Sequence, residues 1–134
     1  MPKGSCVCGE YTHEYTGEPI GVAVCHCIPC RKTAGSNGST NNLIKADQYK
    51  KTSGSVRNWT RKGDSGKDVT YNNCATCGTI MSVNAAAMPD VVILKNGTLD
   101  GDAEDACKPG MEIYTKNRPT CFDAIPGAAQ KETS

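Results

Sequence analysis

Seven of the nine cysteines fall into three tight knots, and no other feature constrains this chain so strongly. The knots are Cys6-Val-Cys8, Cys25-His-Cys27-Ile-Pro-Cys30 and Cys74-Ala-Thr-Cys77. In an extended strand residues i and i+2 point to the same side. Cys6 and Cys8 can therefore offer two sulfurs to one metal ion, and so can Cys25 and Cys27. The Ile28-Pro29 pair allows a turn that returns Cys30 to the same point. Cys74 and Cys77, followed by Gly78, have the form of a zinc knuckle, two thiolates on a turn eased by glycine.

Coordination arithmetic sorts these seven. Structural zinc takes four protein ligands, whereas catalytic zinc keeps three and leaves one position for water or substrate. Cys6, Cys8, Cys74 and Cys77 make one complete set, which leaves Cys25, Cys27 and Cys30 as a three-sulfur set. Thiolate-rich sites favour zinc over harder cations, with an iron–sulfur cluster as the other option. Disulfides remain an alternative from the cysteine count, although cysteines two apart close a strained ring. The three-sulfur set could also be structural, completed by His26, Cys107 or Cys121. A strand would aim His26 away from its flanking cysteines, so it reads as a packed or hydrogen-bonded residue. His13 reads as a surface or edge residue, and Cys107 and Cys121 as buried small residues or inert thiols.

The composition explains why such staples are needed. The chain has 134 residues, about one domain's worth, with a single Trp59, a single Phe122 and five Tyr. Fourteen Gly and seven Pro imply many turns and short elements. A net charge of +1, with Lys and Arg dispersed, argues against a nucleic-acid partner. The densest basic stretch, Lys45 to Lys51, reads as a solvated turn. No apolar run reaches membrane-span length. The first residues lack the pattern of a secretion signal, so the reading is cytoplasmic, where thiols stay reduced. The sequons at Asn37, Asn58 and Asn96 are discounted accordingly.

Short stretches of alternating polarity predict strands over 10–16, 23–27, 40–45, 56–61, 68–72, 79–84, 91–95 and 111–115. Gly, Pro, Asn, Asp and Ser clusters bound most of them. Single helical turns are predicted at 46–50 and 85–88, and the tail from Ala128 is expected to fray. The fold class is all-β with very little helix.

The motifs then resemble a known family. Gly4-Ser-Cys-Val-Cys-Gly9, Cys25-His-Cys-Ile-Pro-Cys-Arg31, Gly63-Asp-Ser-Gly-Lys67 and Asn73-Cys-Ala-Thr-Cys-Gly78 are similar to those of the glutathione-dependent formaldehyde-activating enzymes, also called the centromere protein V/Gfa domain. Ser53-Gly54, Met88-Pro-Asp90, Lys95-Asn-Gly-Thr-Leu-Asp100 and Lys116-Asn-Arg-Pro119 extend the resemblance over roughly Gly4 to Ala129. It implies one domain over 1–134 with an Mss4-like fold of small antiparallel sheets around zinc. It implies a structural zinc at Cys6, Cys8, Cys74 and Cys77 and a catalytic zinc at Cys25, Cys27 and Cys30. The implied activity joins glutathione to formaldehyde, giving S-hydroxymethylglutathione, within the carbon–sulfur lyases. One departure stands out. Related sequences carry an aromatic where this one reads Asn37-Gly-Ser-Thr40, and Asn41-Asn42 is likewise polar, so the expected pocket is roomier and more polar. Such a pocket suits a glutathione adduct of a larger molecule.

Glutathione carries two carboxylates, which call for cationic or amide donors. Arg31, next to the last cysteine of the open set, is the first candidate, with Ser36 and Asn37 beside it. Lys67 and Arg118 are weaker candidates, and Asp64 reads as a turn former. Two other functions compete: a non-catalytic zinc module that binds a protein, and a redox enzyme of the methionine sulfoxide reductase type using Cys107 or Cys121.

Overall fold

The computed structural model describes residues 1–105 and 107–134. Among them, eleven strands form two sheets. The smaller sheet has the order β1-β2-β5, with β1 at Lys3–Ser5, β2 at Thr12–Tyr15 and β5 at Tyr49–Ser53. The larger uses β3 (Gly21–Cys25), β4 (Ser39–Lys45), β6 (Val56–Lys62), β7 (Asp68–Cys74), β8 (Ile80–Ala85), β9 (Val91–Lys95), β10 (Met111–Ile113) and β11 (Ala129–Gln130). Its order is β11-β10-β3-β4-β9-β8-β7-β6. Its strands pair antiparallel except β10, which runs parallel to both β3 and β11. The fold is mostly β with antiparallel sheets, as the alternating stretches predicted.

Strand alternation decides which side chains form the core. On β4 and β9, Ile44 and Leu94 face the smaller sheet and pack with Tyr15 and Leu99. Leu43 and Ile93, one residue earlier, point to the opposite face and are only half-buried. Burying a side chain the size of Leu94 stabilises by about 1.5–3 kcal/mol. A second cluster gathers Cys6, Tyr11, Cys74 and Met81, so two cysteines of the four-cysteine set are part of the core, while Cys8 and Cys77 are exposed.

One helix, α1, spans Ile28–Ala34, where a turn was expected. The punctuation for it is present: Pro29 lies in the first turn and Gly35 closes it in the left-handed region at φ 62°. Cys27 is the N-cap, its sulfur accepting from the Cys30 N–H at 3.3 Å. The predicted turn at 46–50 divides into a short 3-10 turn, Ala46–Gln48, and then β5. The 85–88 segment is a tight turn closed by Met88 N–H on the Ala85 carbonyl at 2.9 Å. The tail does not fray at Ala128: β11 and the Lys131 and Thr133 carbonyls bond to β10 and the residues after it. His13 is not at the surface but only 1% exposed, its ring held by Tyr49 and Thr98, each at 2.9 Å. Gly4 leaves the room for it, since a Cβ there would lie 2.7 Å from His13 Nε2.

Candidate metal centres and the cavity beside them

The four-cysteine set is built from two similar turns. Gly9 and Gly78 follow the second cysteine of each pair in the left-handed region, at φ 82° and 79°. Their N–H groups close the turns on the Cys6 and Cys74 carbonyls at 3.0 and 2.9 Å. The sulfurs of Cys6, Cys8, Cys74 and Cys77 all lie within 4.8 Å of one another. Cys6 to Cys8 is 3.4 Å and Cys8 to Cys74 is 3.8 Å. Sulfurs bound tetrahedrally at about 2.3 Å stand about 3.8 Å apart, so the set fits zinc without rearrangement. The pair at the N-terminus is thereby tied to the end of β7.

The second set comes from one chain segment. Cys25 ends β3, Cys27 caps α1 and Cys30 sits in its first turn, with the three sulfurs again within 4.8 Å of one another. Such crowding prevents all three from ionising unaided. Hydrogen bonds from Cys25 and Cys27 hold the Cys30 thiol far down, and the Lys95 charge adds to this. Contacts with Cys27 and Cys30, together with burial, push Cys25 far up. A cation among the sulfurs removes that conflict, as expected of a metal-binding thiolate set.

His26 points away from both flanking sulfurs. Its Nε2 meets Glu112 Oε1 at 2.8 Å and its Nδ1 meets the Asn37 carbonyl at 3.2 Å. Glu112 lies on β10 and is 2% exposed. Its other oxygen accepts from Ile125 N–H at 2.9 Å and Gln130 Nε2 at 2.7 Å. Although burial opposes it, these bonds hold the Glu112 carboxyl down to about 2. The segment around β11 is in this way latched to the residue between two of the cysteines.

A cavity of about 420 Å³ opens against the three sulfurs, over the face of the larger sheet that carries Leu43 and Ile93. Three cationic residues line it, Arg61, Lys95 and Lys131, and the first two are held by side-chain hydrogen bonds. Lys95 donates to Asn41 Oδ1 at 2.8 Å and Ser39 Oγ at 3.4 Å. Arg61 donates from Nε to the Tyr71 hydroxyl at 2.9 Å. At the rim Tyr114 donates to Asp64, joining the Gly63–Lys67 turn to the C-terminal segment. Tyr114 is the one non-glycine residue with positive φ among the described residues, at 54°. That conformation costs on the order of 1–3 kcal/mol.

Arg31 and Ser36 lie elsewhere, in a separate depression of about 600 Å³ with Ile28, Lys32 and Gly35. Asn37 uses its carbonyl on His26, and its side chain accepts from Ser36 at 2.9 Å. A helix replaces the turn expected at Ile28-Pro29, and on it Arg31 lines the separate depression instead of the cavity at the sulfurs. The expectation of a more polar pocket also fails in its main part. Asn41 does line the cavity, but Asn42 faces the other side and most of the exposed wall surface is apolar. Among the weaker candidates, Arg118 pairs with Glu112 and Gln130. Cys107 meets the Tyr15 hydroxyl at 3.5 Å and Cys121 is exposed, neither joining the three-sulfur set. All nine cysteines are free thiols, so the disulfide alternative has no counterpart here.

The sequence reading missed Arg61, Tyr71 and Lys95. Period-2 alternation puts each of them on the same strand face as an apolar residue two positions away, but only the register across the sheet brings them to the sulfurs.

Fold and site together define a mostly-β protein with two cysteine clusters able to hold metal ions. The sequence profile of the glutathione-dependent formaldehyde-activating enzymes matches residues 1–117, and the chain belongs to that family. The crystal structure of a Rhodobacter sphaeroides protein superimposes with a TM-score of 0.61 at 18% identity, covering 80% of this chain and 96% of that one. No curated protein matches the chain. No helix is long and apolar enough to cross a membrane among the described residues.

Proposed function

We propose that this protein is a zinc-dependent carbon–sulfur lyase that makes and breaks the bond between glutathione and a carbonyl carbon. One observation carries the reading: the sulfurs of Cys25, Cys27 and Cys30 stand in the wall of the cavity that Lys95 and Arg61 also line. Three thiolates suit a site that keeps a position for substrate, and four suit a structural one. Zinc bound at the three-cysteine set would lower the pKa of an incoming thiol and so supply a thiolate near neutral pH.

The chain's own residues do the rest. The end of β3 and the first turn of α1 hold the three sulfurs in one place. Lys95, fixed by Asn41 and Ser39, offers a charged donor beside the sulfurs, where a carbonyl oxygen gains charge as its carbon is attacked. A preplaced donor of that kind stabilises the oxyanion by about 3 kcal/mol. Arg61, oriented by Tyr71, has guanidinium N–H groups left for a glutathione carboxylate. Arg31, Ser36 and Asn37 remain candidates for the far end of a tripeptide that reaches past α1. In the reverse direction the adduct's hydroxyl proton is lost to the departing sulfur or to water, the oxygen's electron pair re-forms the carbonyl beside Lys95, and the carbon–sulfur bond breaks.

We also read residues 1–134 as a single domain, core about 4–129, of Mss4-like type, working in the cytoplasm where its thiols stay reduced. The test is incubation of the zinc-loaded protein with glutathione and aldehydes, with products followed by mass spectrometry. Adduct should form or decay faster than without protein; equal rates would contradict the proposal.

A further inference from the structure

The face of the sheet beneath the cavity is ordered in rows. Cys25 pairs with Ser39 across β3 and β4. Two residues along, Ala23 pairs with Asn41, and Asn41 with Lys95. Two further, Gly21 pairs with Leu43, Leu43 with Ile93, and Ile93 with Val83. Sulfur, cation and hydrocarbon thus succeed one another along the strands, with the first and third rows about 13 Å apart.

Nothing in the established family activity calls for the third row. Leu43, Val69, Val83, Ile93, Met111 and Ile113 all line the cavity, yet none belongs to either buried cluster. Their backbone groups are committed to the sheet, so this floor offers no hydrogen-bond partners. The amides of a tripeptide would lose water there without compensation. A hydrocarbon would lose nothing and remove apolar surface from water. Size agrees. The cavity, at about 420 Å³, is well above the ~150 Å³ apolar void that takes up benzene. Formaldehyde, little larger than water, would leave the floor wet. Met88 and the Asp64–Tyr114 contact lie along the same cavity wall.

Resting on the thiol-addition reading above, we infer that the carbonyl partner is an aldehyde bearing a bulky apolar group, aromatic or branched alkyl. That group lies on Leu43, Val83 and Ile93, and the carbonyl oxygen meets Lys95. The sulfur bonds to the aldehyde carbon, the carbonyl π pair moves to oxygen, and the thiol proton ends on that oxygen. The product is a hemithioacetal, and no oxidant or reductant is consumed.

The experiment compares formaldehyde with benzaldehyde at fixed glutathione on the zinc-loaded full chain, in wild type, Val83→Phe and Leu43→Ala. Saturation-transfer NMR with benzyl alcohol, which cannot react, reads binding alone. The wild type should prefer benzaldehyde by at least about tenfold in kcat/KM. Val83→Phe, which fills the floor, should cut that ratio by about tenfold and weaken the benzyl alcohol signal. Leu43→Ala should move the preference towards still larger aldehydes and serves if Val83→Phe fails to fold. Equal or better use of formaldehyde by wild type, or an unchanged benzyl alcohol signal in Val83→Phe, overturns the inference and leaves the thiol-addition reading standing. No addition with any aldehyde overturns both.

Discussion

Lys95 and Asn41 face each other across paired strands, and the Lys95 ammonium donates to the Asn41 amide oxygen at 2.8 Å. This bond holds a half-buried cation beside three sulfurs. Burial lowers the pKa of Lys95, while the thiols of Cys30, Cys25 and Cys27 oppose that shift. If its role is to meet charge developing on a carbonyl oxygen, Lys95→Met should lower kcat about a hundredfold with little change in the KM for glutathione. Lys95→Arg should recover part of the loss. Steady-state kinetics on zinc-loaded variants checks this.

Arg61 should behave in the opposite way. Arg61→Ala should raise the KM for glutathione about tenfold or more, the loss of one charge-assisted hydrogen bond, and leave kcat nearly intact. The same kinetic series separates the two cations.

The two cysteine sets should differ in what they support. Cys74 is 1% exposed within a core cluster and ties two distant segments through the four-sulfur set. Structural zinc contributes about 10–16 kcal/mol, comparable to the whole stability of a small domain, so Cys74→Ser should unfold the chain. Cys27→Ser should abolish turnover and keep a cooperative melt. Thermal denaturation and metal analysis of both variants test the division, and equal loss of fold would make both sets structural.

His13 gives a pH signature. Burial holds its pKa down to about 4, against an ordinary value of 6.5. The neutral ring is therefore what the fold accepts, accepting from Tyr49 and donating to Thr98. Between pH 6.5 and 4 the unfolded chain binds a proton that the folded one does not, so stability falls with pH across that window. The contribution is about 3 kcal/mol, fully present above pH 6.5. Denaturant titrations should show a shallower loss in His13→Gln than in wild type.

Much of this was legible in the sequence, because its strongest signals are local. Cysteine spacing paired Cys6 and Cys8 with Cys74 and Cys77 across a long separation, and period-2 alternation located most strands of the larger sheet. Elements without an apolar rhythm were not legible. β1 has three residues around Gly4, and β5 is an edge strand whose Lys50 and Lys51 face water, as edges often do. α1 is too short to show a helical period. Its absence from the reading put Arg31 near the sulfurs, whereas Arg61 and Lys95 line their cavity from β6 and β9. Those placements depend on register across the sheet, which adjacency in the chain does not reveal.

X-ray absorption at the zinc edge tests the central claim most directly. With one site of four cysteines and one of three, the average sulfur count per zinc should rise from about 3.5 to about 4 when glutathione saturates the protein. The rise should persist in Lys95→Met and vanish in Cys27→Ser. An unchanged coordination shell under saturating glutathione would contradict a thiol substrate bound at Cys25, Cys27 and Cys30.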